Sequence, residues 1–316
     1  MKCKICQKEF TTARGLHTHI RKIHGLSQAE YYKEFYPRKS WLTNKPIQFK
    51  NVKDYFSKNF NSPKELREWC LIEKQDKVKE HILKLLKDRI RDAELSCAPS
   101  HIELLLRGLP TIDIYKKIFG SYSEACRQAS VEPMFPRPIN HEIFSQKQDI
   151  DDIEIVIDTR EQKPLSFKKS IEHKLDFGDY TCLGSRYTKT YIDRKSENDF
   201  KTTLSKGQLD RFTRELQRAK DFNSFLYILV EGSIEDIKRY NNCTFGGVKK
   251  SPHNFQLEFI WHNMRILQHE FRQNCQFIFS GSRANSTRLI PVLLKYGQAL
   301  WQVDLQYYID KYGINC

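Results

Sequence analysis

Apolar positions change spacing twice along this 316-residue chain. Near the N-terminus they are sparse. Phe10 and Leu16 stand among polar residues, and a helix is expected to begin near Ala13. Beyond Gly25, Ser27 followed three residues later by Glu30 makes a capping box, and Tyr31, Tyr32 and Phe35 add bulk before Pro37 stops a second, short helix. Residues 38 to about 145 read as mostly helical. The clearest helix spans 73–90, where Val78, Ile82, Leu85 and Leu86 recur at helical spacing. Further helices are separated by Gly108, Leu109 and Pro110 and again by Gly120, and Pro133, Pro136 and Pro138 with the polar run after them read as a linker ending near residue 150.

From residue 153 short apolar runs carry charges at their ends. The run 153–157 delivers Asp158, the polar turn 175–180 places Asp179 before a strand, and 190–196 holds Asp193 and Lys195. A helix with Leu209, Phe212 and Leu216 on one face follows, with Arg211 and Glu215 as an i,i+4 pair. Then come a buried strand Phe225–Val230, a helix at 253–271, a strand Cys275–Phe279 and a helix near 285–295. Strands alternating with helices predict an α/β domain.

Composition narrows the class. Hydrophobic residues make up 39% and charged residues 29%, which suits a folded soluble chain long enough for two or three domains. No apolar run approaches the roughly 18 residues of a membrane span, and Met1, Lys2, Cys3 and Lys4 open without an apolar leader. No membrane partner is expected, and the expected compartment is the cytoplasm. Residues 1–60 hold 13 Lys or Arg against 4 Asp or Glu, an excess of nine within a total of +14. Such a bias collects polyanions, DNA first, with RNA left open. Apart from Cys3 and Cys6, the nine cysteines are scattered, as in a reducing compartment, and read as small hydrophobes or idle thiols.

Two clusters carry chemistry. Cys3 and Cys6 are separated by two residues, His19 follows after twelve and His24 after four more, the spacing at which a hairpin and a helix present two thiolates and two imidazoles to one structural Zn2+. A ββα finger followed by a helix is therefore expected over 1–36. Its base-facing positions, Thr12, Gly15 and Thr18, lack strong bidentate donors, whereas Arg14, Arg21 and Lys22 can contact phosphates. His17 falls outside the ligand register and is expected at the surface or on a phosphate. The second cluster is Asp158, Asp179 and Asp193. Three close carboxylates repel unless a hard cation lies between them, and Lys195, two residues beyond Asp193, shares its strand face. The residues alone equally allow Asp158 and Asp179 to cap turns while Asp193 and Lys195 form a surface pair.

The strings Asp158-Thr159-Arg160-Glu161, Gly178-Asp179-Tyr180 and Asp193-Arg194-Lys195 with Asp199 resemble, in order, the motifs of the XPF-type nuclease family over about 153–300. That resemblance implies a restriction-endonuclease-like α/β core over 150–316. It implies Mg2+ or Mn2+ held by Asp158, Asp179, Asp193 and the Arg194 backbone carbonyl, with Lys195 as the catalytic lysine. It makes Arg160, Glu161 and Asp199 supporting or DNA-positioning groups, and Gln208 and Arg214 contacts for phosphates or carboxylates. Asp193 departs from the family's usual Glu but keeps the carboxylate. Residues 119–125 resemble the small helical repeats that accompany homing endonucleases, so 37–145 is expected as a helical module that binds DNA or acts as a spacer. No paired helix-hairpin-helix signature follows the core, so recognition is expected to fall to 1–145. The expected function is a metal-dependent DNA endonuclease. The alternatives are a non-catalytic architectural or regulatory DNA-binding protein with a degenerate core, and an RNA-binding protein or ribonuclease. Homodimerisation is left open.

Overall fold

The computed structural model describes residues 1–146, 150, 152–183, 189–240 and 257–314. It divides into two compact units, one of residues 1–86 with 104–125, the other of residues 87–103 with 126–316.

The first unit is built from short helices with clear capping chemistry. Helix Ala13–His24 starts where the Thr12 side chain accepts from the Gly15 N–H and ends where Gly25 takes φ 69°. Before helix Gln28–Phe35 the expected capping box closes both ways: Ser27 N–H donates to Glu30 Oε2 at 2.7 Å, and Glu30 N–H to Ser27 Oγ at 3.2 Å. Leu16, Ile20, Tyr31 and Tyr32 pack with Ile47 and Tyr55 into one core. Val52–Ser57, Pro63–Ile72 and Gln75–Asp92 follow. Val78, Ile82 and Leu86 are buried as their spacing predicts.

The expected ββα arrangement does not form. The regular element in residues 1–24 is the helix, and the residues before it contain one isolated antiparallel bridge, Lys2 to Glu9, rather than two strands. The chain reverses so tightly through Cys3 and Gln7, the latter at φ 64°, that the arms on either side are too short for a ladder. His17 also differs from expectation: half-buried, its Nε2 lies 3.0 Å from the Tyr32 hydroxyl.

In the second unit six strands form one mixed sheet, in the order β2-β1-β3-β4-β5-β6: β1 Ile155–Asp158, β2 Ser170–His173, β3 Tyr180–Cys182, β4 Thr190–Lys195, β5 Phe225–Val230 and β6 Cys275–Phe279. β3 runs antiparallel to both β1 and β4, while β4, β5 and β6 are mutually parallel. Every residue of β5 and β6 is buried, as parallel strands covered on both faces require. Phe225, Tyr227 and Leu229 face a core with Leu289, Ile290, Leu293 and Leu305. On the other face Phe200 and Phe212 meet Phe277.

Three features depart from the sequence pattern. The expected linker contributes a short helix, Glu142–Ser145, whose Phe144 is fully buried against the sheet. β2 was unmarked because it is a wholly exposed edge strand with one apolar residue, Ile171. Helix Leu305–Tyr312 closes the fold beyond the last element foreseen, and its Gln306 Oε1 accepts from the Phe279 N–H at 2.7 Å. The helix expected from residue 253 is described from Leu257 to Glu270, and its first four residues lie outside the described residues. Of the later cysteines, Cys70, Cys97, Cys126, Cys182 and Cys275 are buried, and Cys243 and Cys316 lie outside the described residues. Among the described residues no helix is long and apolar enough to cross a membrane.

Candidate active site

One sheet edge gathers the acidic residues. β1 and β4 share a direction because both oppose β3, so Asp158 at the end of β1 and Lys195 at the end of β4 reach the same edge, where the turn into β3 carries Asp179. Backbone bonds fix this register: Asp158 N–H donates to Asp179 O at 2.8 Å, and Asp179 N–H to Ile192 O at 2.7 Å. Arg194 N–H then donates to Asp179 Oδ2 at 2.7 Å. Gly178 permits the turn. Its φ is 69°, and a Cβ there would lie 3.1 Å from both Ile192 O and Leu226 Cδ1.

Asp158, Asp179, Asp193 and Lys195 line a single open cleft of about 850 Å3 together with Arg160 and Arg214. Strand alternation sends Asp193 and Lys195 into it and Arg194 to the opposite side. There the Arg194 guanidinium pairs with Glu161 at 3.0 Å and Glu231 at 2.9 Å. Glu161 is thus turned away from the cleft. Asp199 is exposed and exchanges capping bonds with Ser196, donating its N–H to Ser196 Oγ at 3.2 Å and accepting from that hydroxyl at 2.6 Å. Gln208 is exposed at the start of helix Leu209–Asp221 and is not among the cleft-lining residues.

The same helix brings the expected Arg214 to the cleft together with residues whose role the sequence did not disclose, Arg211, Glu215 and Arg218. Arg211, Arg214, Glu215 and Arg218 fall at i, i+3, i+4 and i+7 and line the cleft, while Phe212, Leu216 and Ala219 are buried on the other side. The i,i+4 pair Arg211 and Glu215 had a purely helical explanation. In the fold, Glu215 Oε1 instead accepts from the Gly178 N–H at 3.3 Å, tying the helix to the Asp179 turn. The polar stripe was the available signal.

The cleft is electrostatically uneven. Burial alone would push the Asp158 carboxyl up, but hydrogen bonds from the Arg160 guanidinium and backbone N–H outweigh it and hold it below its ordinary value. Desolvation, then the charge of Asp193, raise Asp179 well above the usual carboxylate range. Burial pushes Asp193 up to about 6 despite Lys195, whose Nζ lies 3.0 Å from Asp193 Oδ1 and 2.8 Å from Oδ2. Burial works against the Lys195 ammonium, yet the Asp193 charge prevails and leaves its pKa above the ordinary value. Two neighbouring carboxyls that resist ionisation are what a hard cation would relieve, and carboxylate oxygens are the donors such a cation prefers. The three acidic groups do not converge as tightly as metal ligands usually do: among the described residues, the group of three or more Cys, His, Asp or Glu donors that all lie within 4.8 Å is at the N-terminus.

This pattern has a measurable consequence. Because Asp193 titrates higher in the fold than in the unfolded chain, its stabilisation is complete below about pH 4 and is lost as pH rises through about 6. Without added divalent cation, the stability of the unaltered protein relative to Asp193→Asn should fall between pH 4 and pH 7, by on the order of 2 kcal/mol. Thermal melts of both proteins across that range test it, and parallel pH dependences would show that Asp193 titrates normally.

At the N-terminus the four sequence-predicted ligands meet. Cys6 Sγ lies 3.1 Å from His19 Nε2, Cys3 Sγ lies 3.6 Å from His24 Nε2, and the two Nε2 atoms are 3.2 Å apart. Tetrahedral zinc bonds place sulfur and nitrogen about 3.5 Å apart and two nitrogens about 3.3 Å apart. The donor set and spacing are those of a zinc-binding motif. Burial opposes the Cys3 thiolate, but the amides of Cys6 and Ile5 outweigh it and lower the pKa. Arg14 and Arg21 line a nearby hollow of about 350 Å3, and Lys22 is exposed.

No curated protein matches the chain. Among solved structures it is similar to XPF from Aeropyrum pernix, at 18% identity over 46% of this chain and 66% of that one, with a TM-score of 0.32. It is also similar to XPF from Aeropyrum pernix in complex with DNA, at 19% identity over 45% and 62%, again with a TM-score of 0.32. The chain thus spans less than two thirds of either structure's length. Residues 150–293 match the model of the ERCC4 domain. Residues 150–293 are thus similar to an ERCC4 domain, and the N-terminus carries a Cys2His2 cluster with the spacing of a zinc-binding motif.

Proposed function

We propose that the chain is a divalent-cation-dependent DNA endonuclease, with its chemistry in residues 150–316 and its nucleic-acid binding supplied largely by residues 1–36 and 37–145. One observation carries this reading: three separate segments bring Asp158, Asp179, Asp193 and Lys195 to one open cleft bordered by arginines. A structural pair or a turn cap needs no such convergence.

In this reading Asp158, Asp179 and Asp193 hold Mg2+ or Mn2+, which when bound supplies Lewis-acid polarisation of the scissile phosphate and a lowered pKa for water. Arg160 now occupies Asp158, but its side chain is 59% exposed and can turn outward to a phosphate when the carboxylate is otherwise engaged. Arg211, Arg214 and Arg218 lie on a helix face along the cleft and suit a phosphate backbone. Lys195, held by Asp193, positions the attacking water or donates to the phosphate oxygen that gains charge.

Matched duplex, forked, junction and single-stranded DNA and structured RNA, each offered with Mg2+ or Mn2+, test the proposal. Internal cuts are expected in at least one DNA and none without divalent cation. Cleavage of RNA alone would replace the reading with a ribonuclease, and DNA binding without cleavage of anything would leave a non-catalytic binding protein.

A further inference from the structure

The tight turn that carries Cys3 and Cys6 occurs twice. In the first, Cys3 N–H donates to Lys8 O at 2.9 Å, Gln7 N–H to Cys3 O at 2.9 Å and Phe10 N–H to Met1 O at 2.7 Å. Shifted by 37 positions, Ser40 N–H donates to Lys45 O at 2.8 Å, Asn44 N–H to Ser40 O at 3.0 Å and Ile47 N–H to Arg38 O at 2.9 Å. Gln7 and Asn44 both take positive φ, 64° and 58°, and the bridge Lys2–Glu9 has its counterpart in Lys39–Pro46. The agreement reaches the ligand atom. The Cys3 sulfur receives the amides of Ile5 and Cys6, and Ser40 Oγ receives those of Leu42 and Thr43 at 3.3 and 3.5 Å. In sequence, KCKICQK at 2–8 becomes KSWLTNK at 39–45, with Ser and Thr where the thiolates stood.

Two capped helices follow each turn, the first of them half as long in the second copy. Asn51 caps Val52–Ser57 as Thr12 caps Ala13–His24, and Ser62 with Glu65 opens Pro63–Ile72 as Ser27 with Glu30 opens Gln28–Phe35. One difference replaces the metal. Glu30 reaches back to its own cap, whereas Glu65 Oε2 accepts from Ser40 Oγ at 2.6 Å and from the Asn61 N–H at 3.0 Å. The Arg38 guanidinium donates to Tyr55 O at 2.6 Å and Asn59 Oδ1 at 2.7 Å. These bonds tie the second turn to its helices where thiolates and imidazoles gather in the first.

We propose that residues 38–72 are a second copy of the Cys/His unit that has exchanged its metal for a hydrogen-bonded clamp, and that this copy contributes a zinc-independent contact with the nucleic-acid backbone. The first clause rests on the paired geometry, the second also on the functional reading above. Charge supports it. Residues 1–24 and 38–61 each carry six Lys or Arg against one Asp or Glu, so the N-terminal excess is shared between the copies. Lys45, Lys50 and Lys53 are exposed. Two linked modules with phosphate contacts raise affinity beyond either alone.

The test uses the full chain, hydrogen exchange, and anisotropy with duplex DNA at several salt concentrations. On chelation of zinc, the amides of Cys3, Gln7 and Phe10 should lose protection while those of Ser40, Asn44 and Ile47 keep it. Loss in both turns together overturns metal independence. K45Q/K50Q/K53Q, exposed changes that leave the clamp intact, should weaken binding about tenfold or more and reduce the salt slope by roughly two to three. Unchanged affinity in that variant overturns the backbone contact alone. Absence of DNA binding by the unaltered chain overturns the contact together with the functional reading, whereas the expected binding pattern without any cleavage supports the second copy and rejects only the endonuclease.

Discussion

Lys195→Ala should slow single-turnover DNA cleavage by about a hundredfold or more while leaving DNA affinity nearly unchanged. Its ammonium sits on the cleft side of β4, 2.8 to 3.0 Å from the Asp193 carboxylate, and 5.1 Å from the centroid of the Phe212 ring. Asp193 and the Phe212 face hold it at the sheet edge, where the acidic residues lie, so its charge is prearranged for a phosphate that becomes more negative during reaction. Loss of one such oriented contact commonly costs on the order of 3 to 4 kcal/mol in the transition state, which is that rate factor. Binding depends on the many exposed lysines and arginines elsewhere, above all in residues 1–60. Because the substitution also leaves Asp193 without its counter-charge, the variant's melting temperature and cation binding should be measured beside cleavage at saturating protein. Wild-type cleavage by a folded variant would remove Lys195 from the catalytic assignment, and an equal loss of affinity would make it a binding residue.

Cys6→Ser should abolish stoichiometric zinc, unfold the turn and helix of residues 1–24, and weaken DNA binding, while the ERCC4-like domain keeps its own melting transition. In the fold Cys6 Sγ lies 3.1 Å from His19 Nε2 and the remaining donors crowd within 4.8 Å, an arrangement with little to hold it except an ion. Leu16 and Ile20 do join a core with Tyr31, Tyr32, Ile47 and Tyr55, but they leave the ligand turn itself to the ion, and bound zinc typically contributes about 10 to 16 kcal/mol to folding in such motifs. A single serine hydroxyl cannot replace the thiolate, because the helix offers imidazoles rather than a carboxylate such as the one Ser40 finds in Glu65. Elemental analysis, exchange protection of Cys3 to Phe10 and duplex affinity are the readouts. Unchanged zinc content would reject the ligand assignment. Simultaneous melting of the C-terminal domain would show that the two parts do not fold separately.

The residues that could be named from sequence are those whose geometry is local. Cys3, Cys6, His19 and His24 are brought together by one turn and one helix, so spacing suffices. The same holds for Asp193 and Lys195, whose shared face follows from strand alternation, and for the apolar runs of β1, β4, β5 and β6. Spacing misled where strand length mattered: the zinc pattern suggested a hairpin, but a turn as tight as Cys3 to Gln7 leaves room for only one bridge. It was silent where an element has no pattern of its own, as in the exposed edge strand β2. Serine and threonine at 40 and 43 hid the second turn, since a search for metal ligands weighs thiolates and passes over hydroxyls.

By itself, then, the sequence determined the Cys2His2 donor set and the α/β character of the C-terminal half, because each is a matter of local spacing and periodicity, while the acidic residues and their lysine were singled out by resemblance to a family's motifs. Only the tertiary structure decided which charges share a space. It turned Arg194 and Glu161 away from the cleft into a buried pair with Glu231, brought Glu215 to the Asp179 turn, set Arg160 on Asp158 and confined Asp199 to a helix cap. Those outcomes depend on strand order and on which helix face meets the sheet edge. The pairings of Arg194 with Glu161 and Glu231, and of Glu215 with the Asp179 turn, join segments more than thirty residues apart that no local periodicity records, whereas those of Arg160 and Asp199 are local bonds that only the folded turn and cap select.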